Sequence, residues 1–149
     1  MLIRALVDAV SKGGNTLLNV GPTARGELDP RAAASLSAIG DWMRSHSRSI
    51  YGCTQSQYSA PPNCRYTYNP ETRRLYLHLF SWPLKHVHLD GLGGRVEYAQ
   101  LLHDASEVRT IDFAQHHRYP DAGDDTLTLE LPIREPAVAV PVVELFLRE

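Results

Sequence analysis

The sequence predicts an α+β fold in two parts: a helix–strand–helix segment over residues 1–51, then an antiparallel β-sandwich over residues 52–149. Three observations carry this. Apolar residues recur at helical spacing on both sides of the short run Asn15 to Val20, which is the order of a parallel α/β unit. The character changes at Gly52, and Pro61-Pro62-Asn63 breaks any helix. Beyond it, seven short strand candidates follow at the spacing of an antiparallel sandwich.

Composition sets the outer bounds. The 149 residues are 43% hydrophobic and 21% charged, ordinary for a soluble globular chain. A domain of this size hides roughly two-thirds of its unfolded surface, so it needs neither a disulfide lattice nor a structural metal. Fifteen basic against seventeen acidic side chains give a formal charge of -2, without the basic excess that drives phosphate binding, so nucleic acid is not expected as a partner. The apolar stretch Ala137 to Val143 is interrupted by Pro141 and falls far short of the ~20 residues that span a bilayer. No membrane span is expected, and Met1 leads into an amphipathic pattern rather than a secretion signal.

The elements follow in order. Leu2, Ile3, Leu6, Val7 and Val10 share one face while Arg4, Asp8 and Ser11 fall between them, which predicts an amphipathic helix over residues 2–12, stopped by Gly13 and Gly14. Asn15 to Val20 has strand length and ends at Gly21-Pro22, where the missing proline N–H ends any ladder. Asp29-Pro30 begins a second helix, the carboxylate capping free N–H groups and Pro30 suiting the first helical position. Ala32, Leu36, Ile39 and Met43 form its stripe, flanked by Ala38 and Trp42, so the helix runs to about Ser45.

In the second part, Leu75, Leu77 and Leu79 alternate with Tyr76, His78 and Phe80, which predicts a strand with one aliphatic face. Asn69-Pro70-Glu71-Thr72 before it reads as a hairpin turn. The other strand candidates are Arg65 to Tyr68, Val87 to Leu89, Arg95 to Leu102, Val108 to Phe113, Thr126 to Leu131 and Val138 to Leu147. Pro141 is expected to put the last of these at a sheet edge or a bulge.

One strand cannot make a parallel sheet, and a closed α/β barrel takes roughly 250 residues. The first fifty residues therefore read as the end of something larger. Ser11-Lys12-Gly13-Gly14-Asn15-Thr16-Leu17-Leu18-Asn19-Val20-Gly21-Pro22, then Leu36 to Trp42 in the form L-x-x-I-G-x-W, then Ile50-Tyr51-Gly52, resembles the carboxyl-terminal part of the α-L-fucosidases of glycoside hydrolase family 29. The resemblance covers nearly the whole chain. It implies that residues 1–51 are a remnant of a (β/α)8 barrel, with Asn15 to Val20 as its last strand, and that residues 52–149 are the small β-sandwich that completes such proteins. Arg25 stands where the family often has aspartate before glycine, and Ser45 to Ser49 replaces its usual Asn-Gly-Glu pattern; both departures concern loops.

What the resemblance implies about chemistry is specific. Retaining glycosidases use two carboxyl groups roughly 5 to 5.5 Å apart, one as nucleophile and one as acid/base. In the family both lie upstream of the part matched here, and nothing in residues 1–149 matches either motif, so no catalytic residue, metal or cofactor is expected in this chain. The partners implied are the upstream catalytic barrel and, through the full-length enzyme, a fucosylated glycan. The alternative is an independent sandwich module that binds carbohydrate or supports a partner, though such a module has no need of a strand flanked by two striped helices.

Individual residues carry further expectations. Asn19 falls at the carboxyl end of the presumed barrel strand, where barrel enzymes build their sites, so it is a candidate to hydrogen-bond substrate or a catalytic loop; the alternative is that its amide orders the turn at Gly21-Pro22. His86 and His88 stand at i, i+2 and could share a metal, but with no third ligand evident they read as a solvated strand face. His116-His117 reads as a surface loop, and Asp121, Asp124 and Asp125 as a solvated turn without calcium-loop spacing. Trp42 reads as core, while Trp82 before Pro83 suits either core or sugar stacking. Cys53 and Cys64 match no zinc pair and read as free thiols, with one local disulfide as the alternative in an oxidising compartment. Finally, apolar surface on the first helix and on Asn15 to Val20 is expected to lie exposed, with self-association or a poorly ordered amino terminus as the result.

Overall fold

The computed structural model describes residues 1–112 and 125–148. The order is α1 (Leu2–Ser11), α2 (Pro30–His46), a single 3-10 turn (Ser47–Ser49), then β1 (Cys64–Asn69), β2 (Arg74–Leu79), β3 (His86–Asp90), β4 (Val96–Leu101), β5 (Arg109–Asp112), β6 (Thr126–Glu130) and β7 (Val142–Leu147). The fold is α+β, as the sequence predicts. Among the described residues the strand pairs are antiparallel and form two sheets, β1-β2-β7-β4 and β3-β6-β5.

Local chemistry sets the helix ends. The Gly14 N–H donates to the Ala9 carbonyl and the Gly13 N–H to the Val10 carbonyl, both at 2.9 Å, with Gly13 at φ 73. This is the Schellman stop, which needs a left-handed residue where only glycine is unstrained. At α2 the Asp29 carboxylate accepts from the Arg31 N–H at 2.8 Å, and Pro30 opens the first turn.

Two cores result. Between the sheets lie Leu75, Leu77, Leu79, Leu89, Leu127, Leu129, Val143 and Leu145, all buried. On the outer face of the four-stranded sheet lies a second core that joins Ile3, Val7 and Val10 of α1 and Trp42 of α2 to Tyr76, Leu102, Val140 and Val142. Strand β2 is therefore covered on both faces, whereas its sequence predicts a single aliphatic face with the Tyr76–His78–Phe80 side turned elsewhere. Successive side chains alternate across a strand, so the helices are what bury the second set.

Three expectations are corrected by the packing. The apolar stripe of α1 is not exposed: Ile3, Val7 and Val10 are buried on the sheet, and Asp8 reaches Arg65 of β1 at 2.7 Å. Strand β7 is interior rather than an edge, lying between β2 and β4. Pro141 sits just before its first residue, where the missing N–H costs no ladder bond while the Pro141 carbonyl accepts from Leu79 N–H at 2.9 Å. The run Asn15 to Val20 is not laddered: among the described residues its backbone pairs with no strand, and Leu17 is 92% and Leu18 43% exposed. A strand exists through its neighbours' hydrogen bonds, and the described residues provide none beside it. The expected exposure of that run thus holds, while that of α1 does not. Phe113, His116, His117, Asp121 and Asp124 lie outside the described residues.

Candidate functional site

Between α1 and α2, residues 12–28 run over the surface with exposed side chains almost throughout, closed on themselves by the bridge Pro22↔Leu28, the Thr23 N–H to Glu27 carbonyl bond at 2.7 Å, the Gly26 N–H to Thr23 carbonyl bond at 2.9 Å and the Glu27 N–H to Thr23 Oγ1 bond at 3.3 Å. Asn19 lies in this stretch, exposed, and among the described residues its side chain makes no hydrogen bond. Leu17, Leu18 and Leu28 are exposed on the same segment, an apolar surface that a water-facing loop does not require. The segment is held at both ends, by the Schellman stop of α1 and by the Asp29 cap of α2, so its position on the body is fixed by the two helices.

The helices reach the sheet through a polar layer that sequence reading missed. The Glu144 carboxylate, buried on β7, accepts from Arg48 at 3.1 Å, from the Tyr76 hydroxyl at 3.2 Å and from Gln100 Nε2 at 2.7 Å. Burial and the neighbouring carboxylate push the Tyr76 phenol far up. With three donors and no access to solvent, Glu144 ties the 3-10 turn after α2 to β2, β4 and β7; it is placed to hold elements together, not to meet a substrate. Beside it Trp42 donates from Nε1 to the Val140 carbonyl at 2.9 Å and stacks on His46 with centroids 4.7 Å apart. Trp42 is core, as its helix stripe predicts.

The remaining candidates are distributed over the sandwich. His86 and His88 lie on β3, with His88 Nδ1 2.8 Å from Thr128 Oγ1, and Asp90 accepts from Thr126 at 2.9 Å. Among the described residues no three His, Cys, Asp or Glu side chains stand close enough to share a metal. Trp82 is half-buried against the inter-sheet core and donates from Nε1 to the Pro132 carbonyl at 3.0 Å. Both cysteines are free thiols, pushed by burial to about 11. Among the described residues no helix is long and apolar enough to cross a membrane.

The described residues thus form a helix pair docked on a two-sheet antiparallel sandwich, an α+β class of fold, with an exposed segment left unpaired between the helices. The comparisons with known proteins agree. The family model described as Alpha-L-fucosidase matches residues 1–48. The fold is similar to alpha-L-fucosidase isoenzyme 1 from Paenibacillus thiaminolyticus, with a TM-score of 0.87 and 38% identity, covering 99% of this chain and 34% of that one. It is similar also to a family 29 alpha-L-fucosidase from Bacteroides thetaiotaomicron trapped as a covalent intermediate, at a TM-score of 0.84 and 25% identity over 99% of this chain. Among curated relatives, human plasma alpha-L-fucosidase is 25% identical over 88% of this chain and 27% of its own length. Alpha-L-fucosidase of Dictyostelium discoideum is 37% identical over 55% of this chain and 18% of its own length. The chain belongs to the α-L-fucosidase family, glycoside hydrolase family 29. It spans about a third of the length of the solved structures it matches and no more than about a quarter of these curated relatives.

Proposed function

We propose that this chain is the carboxyl-terminal portion of a retaining α-L-fucosidase acting on fucosylated glycans, and that it is inactive alone. Residues 1–51 supply the last strand and helix that close the catalytic barrel, and residues 52–149 form the sandwich on which that end of the barrel rests. The observation that carries this reading is the unpaired run Asn15 to Val20, exposed at Leu17 and Leu18 although its neighbours α1 and α2 are docked. Such a run gains a hydrogen-bonded partner on each side when the rest of a barrel is present. In that setting Asn19 lies at the strand's carboxyl end, the rim where barrel enzymes bind substrate, and contributes a hydrogen bond to the sugar or to a catalytic loop.

Double displacement needs one carboxylate to attack the anomeric carbon while a second carboxyl protonates the leaving oxygen, and a chain without that pair has no covalent route. Glu144, buried and triply hydrogen-bonded, does not serve as either. The purified chain is expected to hydrolyse an aryl α-L-fucoside no faster than buffer, with or without a fucose-like inhibitor. Fusing the upstream barrel segment of a close relative in cis should restore inhibitor-sensitive turnover, and Asn19→Ala in that fusion should weaken it. Inhibitor-sensitive turnover by the 149-residue chain alone would overturn the reading, because a carboxylate such as Glu97 or Asp125 would then be acting.

A further inference from the structure

His46 at the end of α2 and His78 on β2 are fully buried, and His103, just after β4, lies at their rim. Hydrogen-bond partners fix the tautomers of the first two. The Thr67 hydroxyl lies 2.6 Å from the Ser49 carbonyl, which can only accept, so Thr67 spends its proton there and its oxygen accepts from His78 Nε2–H at 2.9 Å. His46 Nδ1 lies 3.0 Å from the Trp42 carbonyl and 2.8 Å from Ser45 Oγ; the carbonyl can only accept, so Nδ1 carries the proton, and the Ser45 hydroxyl turns its own proton to the same carbonyl at 3.4 Å. This leaves Nε2 of His46 and Nδ1 of His78 as bare lone pairs, both buried and without a partner among the described residues, and His103 Nδ1 is in the same position.

The rings are close. Trp42 lies parallel to His46 at 4.7 Å and 6.4 Å from His78, and His46 lies 6.3 Å from His103. Among the described residues no counter-charge is free to face the two buried rings. On β7 Glu144 is already occupied by Arg48, Tyr76 and Gln100. On α1 Asp8 is paired with Lys12 and with Arg65 of β1, and Arg4 donates to the Phe80 carbonyl. After β4, Asp104 engages Ser106 and stands 3.4 Å from His103 Nε2, away from the buried pair. The Cys53 thiol, donating to the Arg48 carbonyl, stays protonated.

We propose that His46 and His78 form an acid-sensitive latch that clamps α2 to the outer face of the four-stranded sheet while both are neutral and releases it when either binds a proton. A proton can enter only at the bare nitrogens, where the new N–H⁺ has no acceptor and sits among Trp42, Ile50, Leu102, Val140 and Val142. Undocking gives it water. Burial holds His46 below the usual imidazole range, with His103 adding to the effect, and holds His78 down to about 3, with His46 adding to it. The docked form is thus at full stability above about pH 6.5, where the released histidines are neutral too. Below that the released form binds more protons than the docked one, so docking weakens as pH falls: for His78, whose docked value is about 3, the loss approaches about tenfold per pH unit, and His46 adds to it until its own docked value is reached.

The test uses the full chain with Trp82→Phe, which leaves Trp42 as the single reporter among its two tryptophans. Amide exchange and tryptophan emission would be followed from pH 7.5 to 5.5, a window above the ordinary carboxylate range. The expected result is loss of α2 protection and a red shift of Trp42 emission with a slope of about one proton from His78 and a further share from His46, while β3 and β6 amides keep their protection. His46→Phe keeps a ring against Trp42 without a titrating group and should lower the slope by the His46 share; His78→Leu should lower it by about one proton, and His88→Gln should leave it unchanged. Protection of α2 that is flat across the window, an unchanged slope in His46→Phe, or simultaneous loss of the β3 and β6 amides would each overturn the latch.

Discussion

At position 93 a single methyl group has nowhere to go. A Cβ there would stand 2.9 Å from the Asp125 carbonyl carbon and 3.1 Å from its Cα, and the Gly93 and Gly91 N–H groups both donate to the Asp125 carbonyl, at 3.1 and 2.9 Å. Backbone cannot yield as a flexible side chain can. Gly93→Ala should therefore destabilise the chain by about 1–3 kcal/mol in urea unfolding, the range of an overpacked site. Asp8 offers a second test. Lys12 at 2.6 Å and Arg65 at 2.7 Å hold its carboxyl below the usual aspartate range. A lowered folded value means that the contribution is present above the unfolded pKa and disappears as pH falls through the folded one. Asp8→Asn should accordingly be less stable than the native chain near neutrality, and the gap should close in strong acid. A gap that stays constant down to pH 2 would show that the loss is one of packing.

Among the elements, α1, α2 and the seven strands were legible because each carries its signal locally: a cap, a stop or an alternation of side chains. The buried polar layer was not. His78 alternates with leucines and so reads as water-facing, and nothing within β2 tells that a helix ending as far upstream as His46 returns to cover it. Glu144 was hidden for the same reason, since a carboxylate in a strand reads as surface until its three donors arrive from separate elements. The unpaired run gives the element-scale prediction. Leu17 and Leu18 make no core contact in this chain, so Leu17→Ser with Leu18→Ser should leave its unfolding midpoint within about 0.5 kcal/mol of native. The same pair should reduce self-association seen by light scattering over a dilution series, because self-association is expected to run through this segment now that α1 is covered. In the barrel fusion, by contrast, these substitutions should lower stability by several times that amount.

For the whole molecule, the sequence by itself determined the two helices, the seven strands of the sandwich to within a few residues, the α+β class and the family resemblance, because hydrophobic period, capping chemistry and the glycine-bounded motif act over a few residues and survive without knowledge of the rest. It did not determine that β7 lies inside its sheet, that α1 and α2 share a second core with the sandwich, or that two histidines and a glutamate are sealed between them. Those depend on the order β1-β2-β7-β4 and on which face the helices cover. The physical reason is range. Propensity and periodicity are properties of neighbouring residues, whereas burial of a given side chain is set by whatever element packs on it, and sequence distance carries almost no information about that. The run Asn15 to Val20 shows the division in one place: its composition specifies a strand, and only tertiary neighbours can make it one.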